Sequence, residues 1–150
     1  MKFRTLLAAA AIIGVAGSTL AFAAGEPQVV RQEMMKKVGG SVGAMAKMVK
    51  GEADFDAEAV LAALQTISDQ MVTFPDQFPV GSETGFETEA APAIWEKMDE
   101  FKATAMALKE SADAGIASAP ADVDGLKAVF GPMTKNCGTC HETFRLKKDG

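Results

Sequence analysis

The sequence has few of the residues that build metal sites and disulfides. Its 150 residues include two cysteines and one histidine. A structural zinc site takes four ligands, mostly cysteine and histidine, and a thioredoxin-like dithiol accompanies a βαβ pattern. The sequence has too few cysteines and histidines for a structural zinc site. It also lacks the strand-like alternation that a thioredoxin-like βαβ unit would show. A metal site with two histidine ligands is also excluded.

All three of these residues lie in one pentapeptide, Cys137–His141 (CGTCH), nine residues from the C-terminus. C-x-x-C-H is the attachment motif of a c-type haem. On a helix, Cys137 and His141 are one turn apart and share a face, and Cys140 lies on the adjoining ridge. The motif therefore predicts one haem c, held covalently through Cys137 and Cys140, with His141 as the proximal iron ligand.

Long apolar runs are confined to the N-terminus, which reads as a secretory signal. A basic start precedes an apolar run over Leu6–Val15, and Ala21–Ala23 has the small-x-small pattern of a cleavage site. We expect a signal peptide over residues 1–23, cut after Ala23 or Ala24. The run is short for a membrane span of about 20 residues, although an uncleaved anchor is the alternative. The mature chain, residues 24–150, is predicted to be one soluble periplasmic domain, without membrane insertion.

Basic residues are outnumbered by acidic ones. The signal segment contains Lys2 and Arg4 and no acidic residue, so its removal leaves 13 basic against 20 acidic residues and moves the net charge from −5 to −7. This balance argues against nucleic acid or an anionic membrane surface as a partner. It favours a redox partner protein with a basic docking patch. The lysines at positions 135, 147 and 148 are expected either to guide docking or to keep a helix end soluble.

Apolar residues recur at spacings of three and four, which predicts an all-α fold. The predicted helices run from about Pro27 to Lys50, from an N-cap at Asp56 to about Val72, from Pro92 to about Ala114, and from near Asp122 to about Lys147. Gly51 is the expected C-cap of the first helix, and Gly115–Pro120 the break after the third. Gly131-Pro132 should kink or interrupt the fourth. Residues 74–91 read as a crossover loop. Two short connections and one long one suit an antiparallel four-helix bundle.

The distal side of the iron must be built from upstream residues. No methionine follows His141, and the chain has no second histidine. An axial methionine would therefore come most naturally from the first helix.

Several segments together resemble one protein family. They are the C-terminal Cys-x-x-Cys-His-x-x-Phe-Arg, Arg31-Gln32-x-x-Met35-Lys36, Lys50-Gly51-Glu52 and Pro92-x-x-Trp95. With the attachment motif at the C-terminal end, the chain resembles the class II cytochromes c, which are the cytochromes c′ and their low-spin c-554/c-556-type relatives. The resemblance covers essentially all of the mature sequence.

The resemblance implies that residue 35 faces the distal side of the haem. High-spin cytochromes c′ have an apolar side chain there, whereas a methionine ligates the iron in the low-spin members. Met35 is therefore the candidate distal ligand. Met34 is a weaker candidate, and most of the nine methionines should be core filler.

The resemblance also places Arg31 near a haem propionate and Arg145 close to the proximal side, as cofactor-binding residues. The alternative for both arginines is solvated surface charge. Aromatic residues either wall the haem or pack in the core; they are Trp95, Phe101, Phe130 and Phe144.

The leading functional interpretation is a periplasmic monohaem electron carrier, low-spin with His/Met ligation. The alternative is a high-spin cytochrome c′ whose five-coordinate haem binds nitric oxide or carbon monoxide. A peroxidase-like enzyme is disfavoured because no distal histidine is present to move protons, so we expect no enzymatic activity. The resemblance also permits a homodimer formed through the first two helices.

Overall fold

Five α-helices and one short 3₁₀ helix make up most of residues 26–147, the part of the chain that this computed structural model describes. The predicted signal segment, residues 1–23, and Lys148 lie outside these residues. The elements are α1 (Pro27–Lys50), α2 (Ala57–Thr73), the 3₁₀ helix (Phe74–Gln77), α3 (Ala93–Glu96), α4 (Met98–Ser118) and α5 (Val123–Phe144). The predicted all-α fold is confirmed.

Local sequence signals set several helix ends. The Asp56 carboxylate accepts a hydrogen bond from the backbone N–H of Ala59 at 3.0 Å, and Asp122 accepts one from Gly125 at 2.8 Å. These are N-caps that satisfy otherwise unpaired helix donors. Gly51 ends α1 in the left-handed region at φ 73°, a conformation that glycine adopts without steric cost. All three cap predictions are confirmed.

The predicted third helix differs from the structure in two ways. It breaks at Lys97 (φ −132°, ψ 47°), which separates the short α3 from α4. It also continues through Gly115 to Ser118 instead of ending near Ala114. A Cβ on Gly115 would lie 2.7 Å from Val129 Cγ1, so this glycine allows a close helix contact and is not a helix breaker.

The fourth helix ends earlier than the sequence predicts. α5 ends at Phe144, and Arg145 is extended and pairs with Ala90 in an antiparallel β-bridge. Backbone pairing with a distant segment therefore replaces the last helical turn. Pro132 lies inside α5 without interrupting it.

The four long helices α1, α2, α4 and α5 form an antiparallel bundle. α2 packs against α1 and α4, and α5 packs against α4 and α1, with the α1–α5 pair in the least extensive contact. The long connection joins α2 to α4, which are neighbours, so it does not cross the bundle. Residues 78–92, here called the covering loop, instead reach the start of α1 and the end of α5.

The core follows the predicted apolar stripes closely. The buried residues of α1, α2 and α4 are mostly three or four positions apart, as in an amphipathic helix, and α5 buries Leu126, Met133 and Phe144. The largest fully buried side chains are Met45, Val60, Leu64, Ile67, Met71, Ile94, Phe101, Leu126 and Met133. This core holds α1 and α5 in place along the side where the candidate site lies.

Candidate haem site

A cavity of about 860 Å³ lies between α1 and α5, at the end of the bundle that the covering loop closes. Ligand pockets in proteins have volumes of about 300–1,000 Å³. Its apolar lining comes from the helices and the covering loop at this end of the bundle. The apolar residues are Met35, Val38, Val42, Phe74, Phe78, Ala90, Ile94, Phe101 and Phe144. The polar lining includes Arg31 and Arg145.

α5 contributes the attachment motif to this cavity. Cys137 and His141 both line it, one helical turn apart. Cys140 does not line the cavity but is half-buried against the core on the adjoining side of the helix. The helix thus presents the motif in the arrangement that its spacing predicts.

Burial shifts the pKa values of Cys137, Cys140 and His141 in the direction that favours the neutral form of each side chain. Removal from water raises the pKa of the Cys137 thiol, and burial together with the neighbouring Cys137 raises the pKa of Cys140 to about 11. Burial and the nearby Arg145 charge lower the pKa of His141, with Glu89 opposing the shift. The lowered pKa favours the neutral imidazole, which is the form that binds metal.

α1 brings Met35 to the cavity and directs Met34 elsewhere. Met35 is half-buried and lines the cavity, whereas Met34 is 7% exposed and packs in the core. One turn beyond Met35, Gly39 also lines the cavity, and a Cβ built on it would have no atom within 4 Å. The wall beside Met35 is therefore open enough to accept a broad ligand.

Arg31 lines the same cavity but is only 4% exposed. Its guanidinium donates to the carbonyl of Ser82 at 3.0 Å and to the Thr88 hydroxyl at 2.8 Å, and it lies 4.9 Å from the centre of the Phe78 ring. Burial lowers its pKa, and the charge of Glu83 opposes the shift. Solvated surface charge is thus the wrong description of Arg31.

Arg145 lines the cavity from its exposed rim. Its side chain is 51% exposed, and its Nε lies 3.8 Å from Glu89 Oε2. The Arg145 backbone N–H donates to the carbonyl of His141 at 3.3 Å, although the residue itself lies beyond the last turn of α5. The two arginines therefore place one buried and one exposed positive charge at the same cavity.

The two arginines give a matched test of the buried charge. We expect Arg31→Met to lower the free energy of unfolding by about 3 kcal/mol, because buried oxygens would lose hydrogen bonds from a charged donor. Arg145→Met removes an exposed ion pair and should cost less than about 1 kcal/mol. Denaturant unfolding of both holoproteins, followed by circular dichroism, measures the difference. Equal costs would contradict the structural role of Arg31.

The aromatic residues near the site divide into two groups. Phe101 and Phe144 line the cavity, and their ring centres are 5.3 Å apart. Trp95 packs against Phe78, with ring centres 5.8 Å apart, and Phe130 packs on the core; neither lines the cavity. Phe74 and Phe78 also line the cavity, and their position could not be predicted from the sequence because their segment lacks helical periodicity.

The residues present fit a covalently bound haem. Two thiols and an imidazole from α5 adjoin a largely apolar cavity, and a thioether from α1 lines it as well. Axial histidine and methionine are ligands that c-type cytochromes use. The guanidinium groups of Arg31 and Arg145 suit carboxylates such as the haem propionates. This donor set and the apolar lining define a monohaem c-type cytochrome built on a helical bundle.

Comparison with known proteins identifies the family. The family model described as Cytochrome C′ matches residues 26–145, and the chain belongs to this family. It is 51% identical over 148 residues to cytochrome c-556 of Agrobacterium fabrum, covering 99% of both chains. It is 37% identical to cytochrome c′ of Rhodopseudomonas palustris, again with 99% of each chain covered. A solved structure of cytochrome c′ from Rhodopseudomonas palustris matches with a TM-score of 0.80 and 35% identity, over 83% of this chain and 99% of that chain.

Family membership gives the cofactor of this chain. It is one haem c, attached covalently, and the chain has two cysteines to hold it. Among residues 26–147, no helix is both long and apolar enough to cross a membrane.

Proposed function

We propose that this chain is a periplasmic low-spin electron carrier in which His141 and Met35 are the axial ligands of a haem held by Cys137 and Cys140. The observation that carries this proposal is that Met35, on α1, lines the same cavity as His141, on α5. The burial of the neighbouring Met34 in the core supports Met35, not Met34, as the ligand.

Each residue has a separate task in this proposal. The haem iron supplies a one-electron couple between its ferrous and ferric states. His141 offers a neutral imidazole from the proximal side, and the Met35 thioether fills the distal position, a ligand pair that raises the reduction potential. Arg31 and Arg145 hold the propionates. The apolar lining of the cavity limits the access of water.

Met35 also distinguishes electron transfer from the gas-binding alternative. A five-coordinate iron that binds nitric oxide or carbon monoxide needs an open distal position, which a ligating methionine fills. The similarity values favour the carrier, since the chain is 51% identical to a cytochrome c-556 and 37% identical to a cytochrome c′. The electron-carrier function is therefore the better supported of the two.

The proposal extends to the setting of the protein. The signal segment, residues 1–23, directs export to the periplasm, and no enzymatic activity is assigned to the site. Charged residues at the cavity comprise both signs, with Lys36 and Arg145 beside Glu87 and Glu89. A redox partner with complementary charges would dock at this face. A homodimer through α1 and α2 is also part of the proposal.

A redox titration of the holoprotein, followed by exposure to carbon monoxide, tests the function. We expect one reversible one-electron transition and a ferrous spectrum that carbon monoxide changes only slowly. Immediate and complete formation of a carbon monoxide complex would contradict the carrier and support the gas-binding alternative.

A further inference from the structure

Gln28 lies in the first turn of α1 and is 3% exposed, although it is a polar residue at a helix end. Its side-chain Nε2 donates to two carbonyls of the covering loop, those of Ser82 at 3.1 Å and Thr84 at 2.7 Å. Its Oε1 is buried and has no hydrogen-bond partner in the part of the chain that the structure describes. Burying an unpaired amide oxygen costs free energy. The two hydrogen bonds that Gln28 donates to the covering loop offset this cost.

Gln28 shares its acceptor with the buried arginine. The Ser82 carbonyl accepts from Gln28 and also from Arg31 Nη2 at 3.0 Å, and the same nitrogen donates to the Thr88 hydroxyl at 2.8 Å. These contacts join the start of α1 to both ends of the segment 82–88. We call these five residues the clasp: Gln28, Arg31, Ser82, Thr84 and Thr88.

The stretch 80–88, which includes this segment, is mostly exposed. Gly81 and Gly85 have φ values of 93° and 107°, conformations that glycine adopts readily. Val80 is 93% exposed and Phe86 is 49% exposed, so these apolar side chains do not anchor the segment in the core. Its position therefore depends strongly on hydrogen bonds from α1.

The two clasp residues of α1, Gln28 and Arg31, share one face of that helix with Met35, the candidate distal ligand. Positions 28, 31 and 35 are spaced by three and four residues, which places them on one stripe of α1. Loop residues 87–90, which include Thr88 of the clasp, line the cavity together with Met35. The clasp thus fixes the distance between the Met35 face of α1 and the loop that covers the cavity.

We propose that Gln28 is a positioning residue that holds the covering loop closed over the Met35 side of the cavity. This inference rests on the proposed function for its effect on the iron, whereas its effect on the loop is independent of that function. With the clasp intact, the loop limits the entry of external ligands beside Met35. Without the Gln28 bonds, the loop opens more often and small ligands compete with Met35 more effectively.

The test compares Gln28→Leu with Gln65→Leu, both as holoproteins. Gln65 lies on α2, is exposed, and makes one side-chain hydrogen bond, to Asp69. In Gln28→Leu we expect amides within 80–91 to exchange about tenfold faster with solvent, the effect of losing one to two hydrogen bonds. Amides in the middle of α2 should exchange as in wild type. The rate of carbon monoxide binding to the ferrous protein should rise by a similar factor, and the control should change neither rate.

Two further outcomes separate this inference from the proposed function. Unchanged loop exchange in Gln28→Leu would overturn the role of Gln28, whatever the iron ligation. A high-spin wild-type spectrum would overturn the Met35 assignment, whereas faster loop exchange in the variant would still support the clasp. If Gln28→Leu does not fold, Gln28→Met, which keeps the length of the side chain and removes both donated bonds, takes its place, with Gln65→Met as its control. Gln28→Met should produce the same faster exchange, and an unchanged loop would again contradict the proposal.

Discussion

Met35→Ala should convert the holoprotein from a low-spin to a high-spin cytochrome that binds carbon monoxide rapidly. Met35 is the methionine whose side chain lines the cavity with His141. Alanine has no atom that can reach or ligate the iron, so the distal position would be open in both oxidation states. Optical spectra of the ferric and ferrous forms, with and without carbon monoxide, measure the change.

The adjacent methionine provides the control for this prediction. Met34 is 7% exposed and packs in the core. Truncating a buried methionine to alanine costs about 2–5 kcal/mol of stability. Met34→Ala should therefore unfold at a lower denaturant concentration and keep a low-spin spectrum. An unchanged spectrum in Met35→Ala, or a high-spin spectrum in Met34→Ala, would contradict the assignment of the distal ligand.

The double substitution Cys137→Ser and Cys140→Ser should abolish covalent haem attachment completely. Serine is close to cysteine in size but cannot form a thioether, and the chain has no other cysteine. The wild-type chain should retain haem on a denaturing gel and show a mass increased by one haem. The double variant should run as the bare polypeptide, and acidified solvent should extract any haem that it still binds.

Single substitutions refine this test. Cys140→Ser retains the thiol of Cys137, which lines the cavity, so it should still carry haem through one bond. A haem-containing mass in the denatured double variant would show attachment at another residue. That result would overturn the assignment of the pentapeptide as the attachment site.

Local signals in the sequence predicted much of the fold correctly. Asp56, Asp122 and Gly51 act through atoms within a few residues of the helix end, so their effect does not depend on the remainder of the structure. The same holds for the apolar stripes, because helix periodicity determines which residues share a face. The bundle and its helices could therefore be predicted from the sequence.

The differences arise where distant segments meet. α5 stops at Phe144 because residues 89–91 pair with the chain there, through the Ala91 N–H bond to the Phe144 carbonyl and the Leu146 N–H bond to Glu89. Gly115 reads as a helix breaker in the sequence, but the approach of Val129 gives it a packing role. Contacts between distant segments do not follow the helical periodicity of the sequence, so they could not be predicted from it.

The candidate site divides in the same way. The spacing within the pentapeptide predicts that Cys137 and His141 share one face of a helix, and both residues line the cavity. The family resemblance places Arg31 near the haem, but the burial of Arg31 depends on Ser82 and Thr88, about fifty residues away in the sequence. The role of Gln28 could not be predicted for the same reason, because its acceptors are backbone carbonyls of an irregular loop.

Direct observation of the Met35 methyl group in the reduced holoprotein tests the central claim most directly. With ¹³C-methyl methionine incorporated, an axial methionine methyl lies against the haem plane and its NMR signals are shifted far upfield by the ring current. We predict one such methyl signal among the eight methionines of residues 24–150, the nine of the full sequence without Met1, absent from Met35→Ala and retained in Met34→Ala. A wild-type spectrum with no strongly shifted methionine methyl would contradict His141–Met35 ligation, and with it the proposed electron carrier.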